Sequence, residues 1–544
     1  MTEIGAPSGM TGGNGGPLRG IFDPRAESSQ IEAVIPRKRH RSSKSRTPSH
    51  QMTLSRIPCL TFALGVLFSI SNGVLAGGSQ DFAGTWRSEF KAPFDPRPLE
   101  IRFGLEQNAD GTWQGGFEGD MFGTGLLRGQ QASDGLELEC DLGESNSPFQ
   151  VKSDGSGGLA CLLNFRGMPI SLECQRTSDT WAEDLHLKVS LPQERPEHIS
   201  LDGLPDTWRD PIASVINRAM DAGNIAGLAL AVVIDGELLD ARSWGWRDVM
   251  GRLPVSDSTL FRWGSISKSV TGVVSVKMAN ADRLDLDQDV RKLVPEFPLK
   301  EHVVTPRLLL GHLGGIVHYQ HMPSVTRIDY GTEFPFRDPV RAIDMFREAA
   351  LIHEPGTKYS YSTHGFALVG AVIERASKKG YLGEVTRLVS GPLGMTSFEP
   401  DDPAAPREER TTGYRLTQDG RLFDAGDSDV SWKLAGGGFQ STAADLGRFA
   451  AGICDGYFLS DQDRELLFTK QTMKGANKTP YGLGFNIMDI DGQLAVVHGG
   501  AQRRTRTFLV CAPDAGIAVV LMCNTEGSNL SDPGREILGV LLNE

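Results

Sequence analysis

The sequence predicts an α+β protein, an antiparallel sheet packed by helices plus a helical lobe, preceded by a small all-β barrel or sandwich. Three observations predict it. Between residues 80 and 178, short alternating runs recur at 99–103, 112–117, 136–140, 159–163 and 170–174. Turn signals such as Asn108-Ala-Asp-Gly111 and Ser133-Asp-Gly135 separate them, which is the texture of a meander of about eight strands. From residue 206 onward, apolar strands stand at both ends, with helical segments between them.

In chain order, residues 1–51 are rich in Gly, Ser, Pro and Arg and read as a disordered leader or a misassigned start. Residues 52–76 read as a signal peptide. Arg56 gives a positive start, 57–70 is mostly apolar, and Val74-Leu75-Ala76 supplies small residues before Gly77. The expectation is translation from Met52, cleavage after Ala76, and a secreted or periplasmic protein with no stable membrane span after cleavage. Residues 80–178 form the all-β accessory domain and 179–205, with Pro192 and Pro196, a linker. In 206–544, a helix is expected over 210–222, a strand over 226–234, and a hairpin through Asp235-Gly236. The last strands are expected at 481–485, 493–497, 505–510 and 516–522, with Pro513-Asp-Ala-Gly516 turning the final pair. The helical middle would form a second lobe and leave a cleft at the junction.

The formal net charge is −13, with 55 basic and 68 acidic residues. Nine of the basic and four of the acidic residues lie up to Ala76, so the remainder carries 46 and 64, a net of −18. An acidic body without a basic patch excludes nucleic acid as a partner. Of seven cysteines, Cys59 leaves with the signal. Cys140, Cys161 and Cys174 cluster, so an exported chain has the means for a disulfide there, while Cys454, Cys511 and Cys523 are scattered. No Cys-x-x-Cys or His-rich spacing points to a metal, and no cofactor is implied. The 80–178 region carries no constellation with chemistry in it.

Chemistry concentrates at Ser265-Ile266-Ser267-Lys268, where a loop opens a helix. Residues three apart project from one helical face. A serine hydroxyl needs a base in reach, and a lysine serves if burial lowers its pKa. The helix start also offers unpaired backbone N–H groups. A second copy of the pattern, Ser88-Glu-Phe-Lys91, falls in a strand, where residues three apart face opposite sides. It reads as accidental.

Residues 206–544 resemble the serine β-lactamase and penicillin-binding hydrolases. The branch is that of class C enzymes, D-Ala-D-Ala carboxypeptidases, related esterases and a mitochondrial serine β-lactamase-like peptidase. Gly264-Ser-Ile-Ser-Lys268 and the stretch Thr305-Pro-Arg-Leu-Leu-Leu-Gly-His-Leu-Gly-Gly-Ile-Val-His-Tyr319 carry the likeness. The resemblance implies Ser265 as nucleophile and Lys268 with Tyr361 as proton carriers. Thr363 stands where the family's Tyr-x-Asn motif has Asn, which removes an amide that would hold a substrate amide and leaves Thr363 as the substrate contact at that place. His498-Gly499-Gly500 matches His-x-Gly, so His498 would add a polar or positive edge. Gly499 and Gly500 would let substrate approach, and the N–H groups of Ser265 and Ala501 would form an oxyanion hole. Alternation would put Arg504 and Arg506 on one strand face, either to receive a substrate carboxylate or as a solvated edge. His312, His318 and His321 read as structural rather than as a metal cluster. Glycines at 436–438 read as loop geometry, and Thr442 or Ser441 as the cap of a helix over 443–451.

The expected function is an exported serine hydrolase that cleaves an amide or ester through an acyl-enzyme, with a small-molecule, peptide or ester substrate. The replacement at Thr363 ranks peptidase or esterase above efficient β-lactamase. The rival from another class is a non-catalytic binding or assembly protein that retains the fold. The sequence leaves the oligomeric state open.

Overall fold

The computed structural model describes residues 82–91, 98–119, 123–141, 146–165, 168–178, 201–319, 338–402, 405, 407–416, 422–425, 428–490 and 492–543. The segments expected as a leader (1–51) and a signal peptide (52–76), most of the expected linker and His321 lie outside the described residues.

The N-terminal region is a closed antiparallel barrel whose eight strands follow one another in chain order. They are β1 (Gly84–Lys91), β2 (Pro98–Gln107), β3 (Trp113–Gly119), β4 (Gly123–Ala132), β5 (Gly135–Asp141), β6 (Asn146–Ser153), β7 (Leu159–Phe165) and β8 (Met168–Ser178). Of the two expected architectures, the barrel is the one found: β1 closes on β8 as well as pairing with β2. Trp86, Phe103, Phe117, Phe149 and Leu163 fill the interior, so it is a packed core. Phe103 and Phe149 meet edge to face at 5.2 Å. Cys161 and Cys174 on adjacent strands bring their Sγ atoms to 3.7 Å. Ser88 is buried within β1, which confirms that its Ser-x-x-Lys pattern is a strand.

The C-terminal region is built on a seven-stranded sheet. Its strands are β9 (Gly227–Ile234), β10 (Glu237–Asp248), β11 (Leu253–Pro254), β12 (Asn486–Ile490), β13 (Gln493–Gln502), β14 (Thr505–Ala512) and β15 (Ile517–Cys523). Their order across the sheet is β11-β10-β9-β15-β14-β13-β12, with every neighbouring pair antiparallel. Strand β9 is apolar throughout because both of its faces are covered. Leu228, Leu230 and Val232 meet α1 (Asp206–Ala222) and the C-terminal helix at Ser531–Leu542. Ala229, Ala231 and Val233 join the larger core on the other face. Helix α1 begins four residues before the expected start, and Pro211 falls within it.

The larger core centres on α2 (Ser267–Asn280), which is buried from Ser267 to Val276. Its sequence is rich in Ser, Thr and Val, poor helix formers, so tertiary packing holds it. Its hydroxyls are bonded inward: Ser269 to the Gly484 carbonyl at 2.8 Å and Thr271 to the Ala435 carbonyl at 2.6 Å. Helix α3 (Thr363–Ala376) packs against it, and α4 (Ala443–Cys454) joins the same core from its seat on the sheet. Thr442 caps α4 by accepting the Asp445 N–H. The expected strand at 481–485 is instead a turn, with Gly484 at φ 93°, and β12 starts at Asn486. Among the described residues, no helix is long and apolar enough to cross a membrane.

Candidate active site

Ser265 lies in a single 3-10 turn, Gly264–Ile266, that runs directly into α2. Trp263 anchors the turn. Its indole N–H donates to Ser441 Oγ at 2.7 Å, and its carbonyl accepts the Thr507 hydroxyl at 2.8 Å. Gly264 has φ 54°, and a Cβ on it would sit 3.1 Å from the Ala501 nitrogen. Glycine therefore lets the Ser265 turn press against β13.

Strand β13 carries the His498-Gly499-Gly500 motif. Its outer neighbour β12 pairs with it only as far as Val497. Among the described residues, His498 to Gln502 pair with β14 alone, so an open strand edge runs beside Ser265. Gly499 and Ala501 are exposed. Gly500 is different: it is buried, and a Cβ there would lie 2.0 Å from Thr507 Oγ1 and 2.1 Å from the Trp263 carbonyl. The expected substrate contact at Gly500 is corrected to a packing role, since this glycine lets β13 lie against the nucleophile turn.

Lys268 is fully buried, and its Nζ lies 3.0 Å from Ser265 Oγ, 3.1 Å from Thr363 Oγ1 and 2.6 Å from the Gly436 carbonyl. Burial, then the charge of Lys433, holds the ammonium pKa well below its ordinary value. A neutral amine has two N–H donors and one lone pair. The Gly436 carbonyl can only accept, and Thr363 Oγ1 accepts the second hydrogen. The lone pair is then left for the Ser265 hydroxyl.

Thr363 is 3% exposed and faces this amine, so the expected substrate contact is corrected: its hydroxyl holds the lysine. Tyr361 lies next to the same amine, with Lys268 Nζ 4.8 Å from its ring centroid.

His498 also departs from expectation. It is neither solvated nor positive. It is buried, Tyr481 donates its hydroxyl to Nε2 at 2.7 Å, and Nδ1–H donates to the Gly499 carbonyl at 2.8 Å. Burial, the largest cause, lowers its pKa to about 3, so the ring is neutral. Arg504 is not on a strand face. It occupies the two-residue turn between β13 and β14 with φ 72°. Its N–H donates to Glu526 at 2.9 Å and its guanidinium to the Thr411 carbonyl. The alternation with Arg506 fails because the turn intervenes.

The histidines of the 311–319 loop bind backbone. His312 Nδ1 accepts the Ser362 N–H at 3.1 Å, and His318 Nδ1 accepts the Thr363 N–H at 3.2 Å, so both serve the start of α3. Among the described residues, no group of three metal-ligating side chains gathers. Sequence reasoning missed two participants. The Gly436 carbonyl has no side chain to mark it, although the run of three glycines signals a close backbone approach. Tyr481, read as part of a strand, is the partner of His498.

The β-lactamase family model matches residues 212–544. The mitochondrial serine β-lactamase-like protein LACTB of Homo sapiens is 28% identical over 306 residues, covering 45% of this chain and 56% of the relative. The chain thus spans little more than half the length of that relative. Among solved structures, the octameric penicillin-binding protein homologue from Pyrococcus abyssi is similar at TM-score 0.53 and 24% identity, covering 62% of this chain and 77% of that one. EstCE1, a hydrolase with promiscuous acyltransferase activity, is similar at TM-score 0.52 and 20% identity, covering 63% of this chain and all of its own. At these identities the two structures speak for the fold alone. The family model covers well over half of the sequence and contains every residue of the site just described, so this chain belongs to the β-lactamase family.

Proposed function

We propose that this protein is an exported serine hydrolase that cleaves an amide or ester through an acyl-enzyme on Ser265. The observation that carries the reading is the buried Lys268 amine 3.0 Å from Ser265 Oγ, with two acceptors fixing its other bonds. In this reading Ser265 attacks the substrate carbonyl as Lys268 takes its proton. Tyr361, beside the amine, returns a proton to the leaving group. The N–H groups of Ser265 and Ala501 receive the oxyanion, a reading supported by the Gly264 contact that brings the two segments together. Water then releases the acyl group. His498 and Thr363 support the reacting groups: His498 through the Gly499 carbonyl and Thr363 through the lysine.

The open edge of β13 suits an extended or small acyl group lying along exposed Gly499, which favours peptides and small esters. Export rests on the 52–76 pattern, and the N-terminus of the secreted protein is expected at Gly77. A mature chain that begins before Met52 would refute it.

The test of the mechanism is intact-protein mass after incubation with a fluorescent penicillin and, separately, a fluorophosphonate, on wild type and Ser265→Ala. An adduct on wild type alone is expected. The preferred reagent separates a penicillin-binding site from a general esterase site. No adduct on folded wild type would leave the binding or assembly role as the better reading.

A further inference from the structure

Tyr361 is held on both flanks by one residue. The Ser360 N–H donates to the His312 carbonyl at 2.9 Å, and the Ser362 N–H donates to His312 Nδ1 at 3.1 Å. Between these two bonds the His312 ring lies against the Tyr361 ring, with centroids 4.2 Å apart and planes at 40°. His312 is itself fixed, since its N–H donates to the Leu309 carbonyl at 3.1 Å.

The backbone of His312 has φ 58°, the left-handed region that Gly occupies freely and that Asn, Asp and His occupy more readily than other residues. Ser362 is the N-cap of α3, and its Oγ accepts the Gly365 N–H at 3.0 Å. Its own N–H stands outside the helical ladder and needs a partner, which the imidazole supplies. Because Nδ1 accepts, the neutral ring carries its proton on Nε2. Burial keeps it in that form by lowering the pKa well below the ordinary value.

We propose that His312 is a positioning residue whose carbonyl and Nδ1, by holding the backbone on both sides of Tyr361, set the place of that residue beside Lys268. The inference rests on the acyl-enzyme reading, in which Tyr361 moves protons. A residue that only filled the core would weaken the fold and slow every variant alike. A clamp acts through Tyr361 and has no further effect once the phenol is gone.

The experiment measures the saturating rate and half-saturating concentration of Ser265 modification by a fluorophosphonate, with a melting curve for each variant. His312→Asn keeps an acceptor at the same number of bonds from Cα and tolerates the left-handed backbone. His312→Gly tolerates the backbone and has no acceptor, and His312→Ala replaces it should it fail to melt cooperatively. H312G is expected to slow the saturating rate at least tenfold, about 1.4 kcal/mol. Its half-saturating concentration should stay within about threefold, and H312N should stay within about threefold of wild type in rate. In a Tyr361→Phe background, H312G should cost less than about a further twofold. H312N as slow as H312G would overturn the clamp, as would a tenfold loss from H312G on top of Y361F. An unlabelled wild type would instead defeat the acyl-enzyme reading itself.

Discussion

Replacing Lys268 by Met should abolish the reactivity of Ser265 and at the same time make the protein more stable. The wild-type amine is sealed in the core, burial pushes its pKa well below the ordinary value, and the acyl-enzyme reading requires it to be neutral at pH 7. A free lysine has a pKa of about 10.4, so holding one neutral at pH 7 costs about 4.5 kcal/mol of folding free energy. Methionine has similar volume and no such cost. Against this, the substitution leaves the Gly436 carbonyl without the amine it accepts from at 2.6 Å, a loss of about 1–3 kcal/mol. Thr363 can turn its hydroxyl elsewhere. The net is a gain of about 1.5–3.5 kcal/mol for K268M at pH 7. The sign with pH follows from which state holds the proton. Below the free-lysine value the unfolded wild-type chain binds a proton that the folded one does not, so wild-type stability rises with pH relative to K268M. Between pH 7 and 9 the advantage of the variant should shrink by about 2.7 kcal/mol. Denaturant titrations of both proteins at several pH values measure this, and fluorophosphonate labelling follows the loss of function. Should K268M be less stable at pH 7, by an amount that does not change with pH, then Lys268 is protonated in the folded state. It could not then take the Ser265 proton.

Three further outcomes are expected. Gly500→Ala should cost about 2–4 kcal/mol, because its Cβ would meet Thr507 and Trp263, whereas Gly499→Ala should stay within about 0.5 kcal/mol; equal melting temperatures would refute the packing role of Gly500. His364 donates Nδ1–H to the Val317 carbonyl at 2.9 Å, and its pKa is lowered by burial to about 4. The unfolded chain gains this proton near pH 6.5 and the folded one does not, so stability falls as pH drops through that window, and His364→Asn should flatten the slope by about 1.4 kcal/mol per pH unit. Peptide mapping without reductant should find Cys161 joined to Cys174, stabilising the oxidised barrel by about 3 kcal/mol, and a bond from Cys140 instead would sink that pairing.

The parts of this molecule that were legible in its sequence are those set by local pattern. Strands β2, β3, β5, β7 and β8 of the barrel follow alternation and turn residues, and the Ser265–Lys268 spacing follows helical geometry. The failures have a common physical form. Arg503 and Arg504 make a two-residue hairpin turn, but neither is the Gly or Asn that usually announces such a turn, so Arg504 reads as part of the strand that follows it. His498 reads as a polar or positive edge because nothing near it in the chain shows that Tyr481, 17 residues earlier, donates to it in a buried site. Thr363 looked like a degraded substrate contact because its lysine partner lies 95 residues away. Lys268 shows the limit most sharply. The residue was legible as a base, but a lysine is a base only when something removes its proton. Here that is the closed core around α2, together with a backbone carbonyl at Gly436 that appears in the sequence only as a glycine. The identity of the reacting group is a local property of this chain, and its charge state is a property of the whole fold.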